Sequence, residues 1–197
     1  MTTNTSKVIA GIDYSMASPG ICIHTGDEWS HDTCRFHFLT SKKKFQGTFN
    51  YGRIIGYEMP LWNTQEERFA KIRNWAIDCL KRYDRDCVYA YYPEMTYLES
   101  YSYASTGKAF SIGENTGVLK NKLWTLDVNF EIIAPTVIKK YATGKGNANK
   151  ELLEQCFREE TGIDIRSIMD QSDRSDNPSS DLIDAYYICK YGFSQYS

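Results

Sequence analysis

The order of strand and helix signals limits the fold of this 197-residue chain more than any other feature. Three β-prone segments come first, at residues 8–13, 20–23 and 35–40. A turn-rich stretch over 15–19 separates the first two, which predicts a β-hairpin. Helical patterns and short strands then alternate. This order predicts an α/β fold in which helices flank a central mixed sheet of five strands.

The later part of the chain holds helical patterns with clear start and stop signals. A capping box at residues 64–67 opens a helix whose apolar residues recur at 3.6-residue spacing. We predict further helices over 109–126, which contains Gly113 and Gly117, and over 150–161, which ends at Gly162. Residues 130–134 form a short predicted strand. Residues 41–62 show no clear period, so we expect a single domain over 1–197 with an inserted flap or long hairpin there.

The central strand has two possible positions. Residues 88–92 are apolar and β-prone, but Pro93 has no N–H for the hydrogen-bond ladder of a central strand. We therefore expect the strand at about 95–98, and the alternative is one strand from 88 to 98 with a bulge at Pro93. The choice decides whether Glu99 or Glu94 is the acid that belongs to a functional site.

Composition excludes several classes of protein. Hydrophobic residues make up 42% of the chain and aromatic residues 14%, which is enough for a packed core and excludes global disorder. No apolar run could span a bilayer, and the polar start leads directly into a strand, so we predict no signal peptide and expect a soluble, cytoplasmic protein. The six cysteines form no C-x-x-C pair and the three histidines fall in one early stretch, which favours free thiols over disulfides or zinc.

Four acidic residues stand where strand ends and a helix start could bring them together. Asp13 closes the first strand, Glu99 follows the expected central strand, and Asp181 and Asp184 share one face of the predicted last helix. An oxygen-rich pocket of this kind suits Mg²⁺ or Mn²⁺. Each acid taken alone has an ordinary interpretation as a cap or a surface charge.

Charge is distributed unevenly along the chain, although its net value is −2. Residues 105–150 carry seven lysines against three acids, and residues 151–184 carry ten acids against three arginines. This pattern is typical of a protein that grips a phosphate backbone beside bound metal, but two solvated faces of opposite sign also produce it. Within the basic stretch, T-G-K-G-N-A-N-K precedes a helix. It is either a turn with Asn147 or Asn149 as N-cap, or a phosphate contact through backbone amides, Lys145 and Lys150.

Four segments in this order resemble the RuvC-type Holliday junction resolvases, especially phage-encoded ones. They are G-I-D-Y-S, Y-L-E-S-Y-S-Y-A-S-T-G-K-A-F-S-I-G-E-N-T-G, P-T-V-I-K-K-Y-A-T-G-K-G-N-A-N-K and S-D-L-I-D-A-Y. The resemblance covers roughly residues 8–23 and 64–191. It implies an RNase H-like fold, a homodimer in the cytoplasm (of the host cell, if phage-encoded), and cleavage of four-way and other branched DNA. It also implies two Mg²⁺ or Mn²⁺ ions per active site and 5′-phosphate and 3′-hydroxyl ends.

The resemblance also assigns roles to residues of this chain. By position, it implies that four acids form the metal-binding and catalytic tetrad: Asp13, Glu99, Asp181 and Asp184. Two catalytic lysines, Lys145 and Lys150, match family lysines that approach the scissile or neighbouring phosphates. Tyr101 and Tyr103 fall where the family places aromatic residues near the junction centre, although a buried extension of the core strand gives the same pattern. The complete predicted DNA-binding set is Tyr101, Tyr103, Lys108, Lys139, Lys140, Lys145, Asn147 and Lys150. The helix with Gly113 and Gly117 is the predicted dimer contact.

Three other functions stay open. The first is a less selective nuclease of the same fold that cuts flaps or forks, and the second is a junction-binding protein without cleavage. The third is an ATPase of the actin-like class, because G-I-D at residues 11–13 resembles the first strand of that class. The glycine-poor stretch 14–19 that follows is a poor phosphate-binding loop, which weakens the ATPase interpretation.

Overall fold

The computed structural model describes residues 6–83, 90–100, 109–172 and 176–196. Nine strands are described: β1 Val8–Asp13, β2 Gly20–Thr25, β3 Cys34–Thr40, β4 Gly47–Phe49, β5 Ile54–Glu58, β6 Arg82–Tyr83, β7 Ala90–Tyr91, β8 Met95–Glu99 and β9 Phe130–Ile133. Six helices are described: α1 Gln65–Leu80, α2 Ala109–Thr125, α3 Pro135–Thr143, α4 Lys150–Thr161, α5 Ile165–Ile168 and α6 Ser179–Gln195. None of these helices is long and apolar enough to cross a membrane.

Seven of the described strands form one mixed sheet in the order β4-β5-β3-β2-β1-β8-β9. β1, β2 and β3 are an antiparallel meander, while β8 and β9 continue parallel to β1. This confirms the predicted α/β class with a mixed sheet. The strand count differs from the expected five because residues 41–62 contain β4 and β5, and β5 pairs in parallel with β3. These strands are short and a left-handed turn at Asn50 and Tyr51 separates them, so they left no periodic signal.

Two hydrophobic cores lie on opposite faces of the sheet, because successive side chains of a strand point to opposite sides. Ile9 of β1 packs on the face that α6 covers, whereas Ala10 and Ile12 pack on the face that α1 and α2 cover. Cys22, Cys34 and Cys189 are buried in the first core as free thiols. The sheet is therefore the middle layer of three.

Glycines let α6 lie directly on the sheet. A Cβ at Gly11 would lie 2.6 Å from the Ala185 carbonyl oxygen, and one at Gly20 would lie 2.7 Å from that of Asp181. Near the other end of the helix, a Cβ at Gly192 would overlap the Tyr97 ring. The backbone of α6 thus approaches β1, β2 and β8 more closely than any larger residues would allow.

The helix starts and stops largely follow the sequence signals. Thr64 caps α1 by accepting a hydrogen bond from the Glu67 N–H at 3.2 Å. Asn149, one of the two predicted candidates, caps α4 by accepting from the Leu152 N–H at 3.0 Å, and Gly162 ends this helix in the left-handed conformation. Helix α3 was not predicted. Pro135 ends β9 as expected but also occupies the first turn of α3, where its missing N–H costs nothing.

The central strand is β8, at the position expected after Pro93. It pairs in parallel with β1, and Leu98 lies opposite Ile12. The alternative of one strand through Pro93 is wrong, because Ala90 and Tyr91 pair with β6 in a separate two-stranded ribbon. Pro93 has no N–H to donate where a central strand would need one, so the strand pairing is interrupted at this residue.

Candidate active site

Parallel pairing of β1 and β8 brings Asp13 and Glu99 to the same edge of the sheet. Each directly follows the Ile12–Leu98 pair, the last pair that β1 and β8 share, and adjacent strands run about 5 Å apart. Glu94 lies at the opposite end of β8, where its N–H donates to the Val8 carbonyl at 2.9 Å and its carboxylate accepts from the Val8 N–H at 3.4 Å. The structure therefore brings Glu99, and not Glu94, beside Asp13.

The first turns of α6 add two more acids at this edge. Gly20 is the strand partner of Asp13, and the backbone of Asp181 lies directly against Gly20. Asp184 follows three residues later, on the same face of the helix as Asp181. Four carboxyl groups from β1, β8 and α6 thus share one end of the sheet.

The electrostatics of the four acids show how close they are. Burial raises the pKa of Asp13 well above its usual range, and the charges of Asp181, Asp184 and Glu99 raise it further. Burial and then the charge of Asp184 raise the pKa of Glu99 to about 7. Burial also raises the pKa of Asp181 to about 7 and that of Asp184 to about 6. Carboxyl groups affect one another in this way only within a shared, poorly solvated pocket.

The donor chemistry of this pocket fits hard divalent cations. Among the described residues, no three His, Cys, Asp or Glu side chains are gathered closely enough to enclose a metal ion as they stand. The available donors are carboxylate oxygens, which Mg²⁺ and Mn²⁺ prefer. Asp181 Oδ2 is buried, and it has no hydrogen-bond partner in the described part of the chain. A bound cation would satisfy this oxygen and offset the mutual repulsion of the four acids.

Two lysines bring positive charge to the acids. Lys150, the first residue of α4, lies with its Nζ 3.3 Å from Ser180 Oγ and 3.8 Å from Asp176 Oδ2. Its charge lowers the pKa values of Asp13, Asp181 and Asp184, although burial outweighs it at each of them. Lys139 of α3 acts in the same direction on the pKa values of Glu99 and Asp184. Helices α3 and α4 therefore each supply one cation whose charge acts on the acids.

The other predicted contact residues have different positions. Lys140, Lys145 and Asn147 are exposed on α3 and on the loop that joins it to α4. Tyr101, Tyr103 and Lys108 lie outside the described residues. The α3–α4 loop thus exposes Lys145 and Asn147 to solvent directly before α4, the helix that begins with Lys150.

Open space borders two of the acids, and sequence reasoning missed part of the lining of a second cavity, beside the start of α6. A cleft of about 330 Å³ is lined by Asp13 and Glu99 together with residues of the β1–β2 turn. A second cavity, of about 290 Å³, is lined by Ser18, Thr40, Lys42 and neighbours of α6. The Ser18 side chain bonds to Asp181 and lowers its pKa. Single serines and threonines in turns form no sequence pattern, so no signal pointed to Ser18 or Thr40.

Comparison with known proteins supports the fold assignment. No protein-family model matches the chain, and no curated protein sequence matches it. The structure of RuvC from Thermus thermophilus matches with a TM-score of 0.56 at 18% identity, over 95% of each chain. A second structure, Thermus thermophilus RuvC in complex with a Holliday junction substrate, matches with a TM-score of 0.60 at 18% identity, over 96% of this chain and 94% of that one. The chain has a RuvC-like fold, as the sequence predicted.

Proposed function

We propose that this chain is a divalent-metal-dependent endonuclease that resolves four-way DNA junctions and related branched DNA by paired nicks. The observation that carries the proposal is the grouping of Asp13, Glu99, Asp181 and Asp184 at one edge of the sheet. Burial raises the pKa of all four, and the charges of the other three acids raise that of Asp13 further. The RuvC-like fold adds support, because a structure with this fold holds a Holliday junction substrate.

The four acids would hold two Mg²⁺ or Mn²⁺ ions in each active site. When bound, these ions would lower the pKa of the attacking water and offset negative charge on the phosphate. Departure of the 3′ oxygen would leave 5′-phosphate and 3′-hydroxyl ends, the polarity that the resemblance to RuvC-type resolvases implies. Ser18 supports the site by its hydrogen bond to Asp181. Because all four carboxyl groups have raised pKa values, their occupation by metal releases protons, and activity should fall as the pH decreases below about 7.

Lys150 and Lys139 would stabilise the reacting phosphate. Lys150 is half exposed and already contacts Ser180 at the rim of the pocket, so its ammonium group can reach a non-bridging phosphate oxygen. The charge of Lys139 acts on Glu99 and Asp184. Lys140, Lys145 and Asn147 would contact the backbone of the DNA arms, as would the predicted contacts outside the described residues, Tyr101, Tyr103 and Lys108.

Helix α2 is our proposed dimer contact. Phe110, Gly117 and Trp124 are seven residues apart and so lie on one face of the helix, with Phe110 88% and Trp124 76% exposed. A Cβ at Gly117 would meet no atom within 4 Å, so a second backbone can approach there. If two copies of α2 cross at Gly117 about a two-fold axis, Phe110 of each lies near Trp124 of the other. A two-fold dimer would present one active site to each of two strands of a junction.

Sedimentation velocity tests the dimer. We expect the wild type to sediment as a dimer at micromolar concentration and Trp124→Glu as a monomer that nicks the two strands independently. Leu61→Glu is the matched control, because Leu61 is equally exposed but lies before α1. A monomeric wild type, or a dimer that survives Trp124→Glu unchanged, would reject α2 as the contact.

Cleavage of a labelled four-way junction in Mg²⁺ tests the enzyme itself. We expect paired nicks by the wild type, and bound but uncut junction with Asp184→Asn. If the wild type makes no cut, the chain is a binding protein and the enzymatic proposal fails. If flaps or forks are cut as fast as junctions, the less selective nuclease is the better description.

A further inference from the structure

A cavity of about 670 Å³ lies between the β3–β5 edge of the sheet and helix α1. It is distinct from the acidic pocket, because β3 and β5 are two and three strands from β1, or roughly 10–15 Å away at ordinary strand spacing. Aromatic rings form much of its wall, and charged groups surround them. The lining residues are His37, Leu39, Tyr57, Glu58, Pro60, Lys71, Asn74, Trp75, Asp78, Cys79, Lys81 and Arg82.

Three buried polar atoms of this lining have no hydrogen-bond partner within the described residues: His37 Nε2, Trp75 Nε1 and Arg82 Nε. The His37 side chain belongs to a residue only 8% exposed, and its other ring nitrogen lies 3.1 Å from the Tyr57 hydroxyl. Folded proteins rarely leave buried donors unpaired, because each loses its hydration without compensation. Three such atoms belong to the lining of one cavity, so a molecule bound there is a candidate to supply their partners.

The rings and the charge of the cavity define what would fit. The Tyr57 ring stacks on His37 with centroids 5.9 Å apart and meets Trp75 edge-on at 6.3 Å. Burial lowers the pKa of Arg82, and the charge of Arg35 lowers it further. No carboxylate forms an ion pair with Arg82 in the described part of the chain. The cavity therefore combines aromatic faces, N–H donors and a guanidinium group that no carboxylate of the described residues pairs with.

We propose that this cavity is a second site, which binds a nucleoside monophosphate group. The base would lie against Tyr57 and Trp75 and accept hydrogen bonds from the Trp75 indole N–H. The phosphate would pair with the Arg82 guanidinium group. The nucleotide is either a free mononucleotide or an unpaired nucleotide of a DNA strand, since both present the same groups. The site does not depend on the nuclease activity proposed above.

Isothermal titration calorimetry of the full chain without metal tests the site, with dAMP as the probe and deoxyadenosine and inorganic phosphate as partial probes. We expect dAMP to bind more tightly than either part. Trp75→Phe keeps an aromatic ring but removes the indole donor, and we expect it to weaken dAMP binding about tenfold, as does Arg82→Gln. Trp62→Phe is the matched control, because Trp62 lies outside the cavity and stacks with Arg68.

Further titrations show which site binds the ligand and whether the ligand is a free nucleotide or part of a DNA strand. Asp184→Asn should leave dAMP binding unchanged, which separates this site from the acidic pocket. A short single-stranded oligonucleotide that binds more tightly than dAMP, and that Trp75→Phe weakens, would identify the ligand as an unpaired nucleotide of DNA. Equal or weaker binding of the oligonucleotide would identify a free nucleotide. If neither probe binds, or if both cavity variants bind like the wild type, the site is rejected. If Arg82→Gln does not fold, Trp75→Phe decides alone.

Discussion

The two ends of the β1–β8 pair carry one glutamate each, and the two glutamates have opposite surroundings. Glu94 joins the strands: its carboxylate accepts from Val8, and its backbone carbonyl accepts from the Asn129 side chain at 3.3 Å. Glu99 lies among Asp13, Asp181 and Asp184, and burial with the charge of Asp184 raises its pKa to about 7. Glu94 links neighbouring segments through hydrogen bonds, whereas Glu99 has a neighbouring charge that raises its pKa.

This difference separates a structural acid from a candidate functional one. Crowded carboxyl groups that raise one another's pKa values destabilise the folded protein whenever they are ionised. Such an arrangement persists only because favourable packing elsewhere offsets its cost. Here the backbone of α6 packs directly against Gly11 and Gly20. Perturbed acids held in a cleft are typical of functional sites. We therefore interpret the Glu99 end as the active end of the sheet.

The largest expected effect is the difference between Glu99→Gln and Glu94→Gln in junction cleavage. Removing one carboxylate from the proposed metal-binding set should slow single-turnover cleavage by about 100-fold or more, while gel-shift binding of the junction persists. Glu94→Gln should cleave like the wild type. If both variants lose activity equally, the distinction between the two ends is wrong.

A second test moves α6 away from the acidic end. Gly20→Ala would place a Cβ 2.7 Å from the Asp181 carbonyl oxygen, so the helix must shift. We expect the free energy of unfolding, measured by urea denaturation, to fall by about 2 kcal/mol, with a parallel loss of cleavage. An unfolding midpoint unchanged by Gly20→Ala would show that α6 does not depend on this contact.

The third test is the pH dependence of stability without metal. The folded pKa of Glu99 is raised from 4.5 to about 7, so the folded state binds more protons than the unfolded state between these values. Its contribution to stability is therefore present below about pH 4.5 and is lost as the pH rises through about 7. Glu99→Gln should raise the free energy of unfolding at pH 8 by on the order of 2 kcal/mol relative to the wild type, with little difference at pH 5. Glu94→Gln should show no such gain, and a Glu99→Gln gain that is independent of pH would contradict this explanation.

The smallest expected effect concerns the two predicted catalytic lysines. Lys150 contacts Ser180 and lowers the pKa values of three of the acids, whereas Lys145 is exposed in the loop before α4. We expect Lys150→Gln to slow cleavage about tenfold and Lys145→Gln to change it only about twofold, mainly through DNA affinity at raised salt. A salt titration of cleavage rates measures both. Equal losses would mean that Lys145 reaches the phosphate when DNA is bound.

Much of the fold could be predicted because its signals are local. The apolar run that ends at Asp13, the missing N–H of Pro93 and the cap at Thr64 each depend on neighbouring residues, and each marks an element boundary in the structure. The sequence indicated a flap or long hairpin over residues 41–62 but did not locate its strands at 47–49 and 54–58, and it missed the helix after Pro135. Short elements are stabilised by tertiary packing rather than by periodicity.

The sequence by itself determined which groups are available and their local spacing: an acid after each of two strands, and two acids three residues apart on one helix. Only the tertiary structure decided that Glu99 rather than Glu94 meets Asp13, because that depends on the parallel register of strands more than 80 residues apart. It also decided that Ser18 supports Asp181 and that His37, Trp75 and Arg82 face one cavity. Burial and mutual charge arise from contacts between distant segments, and those contacts set the pKa values and the unpaired donors on which both proposals depend.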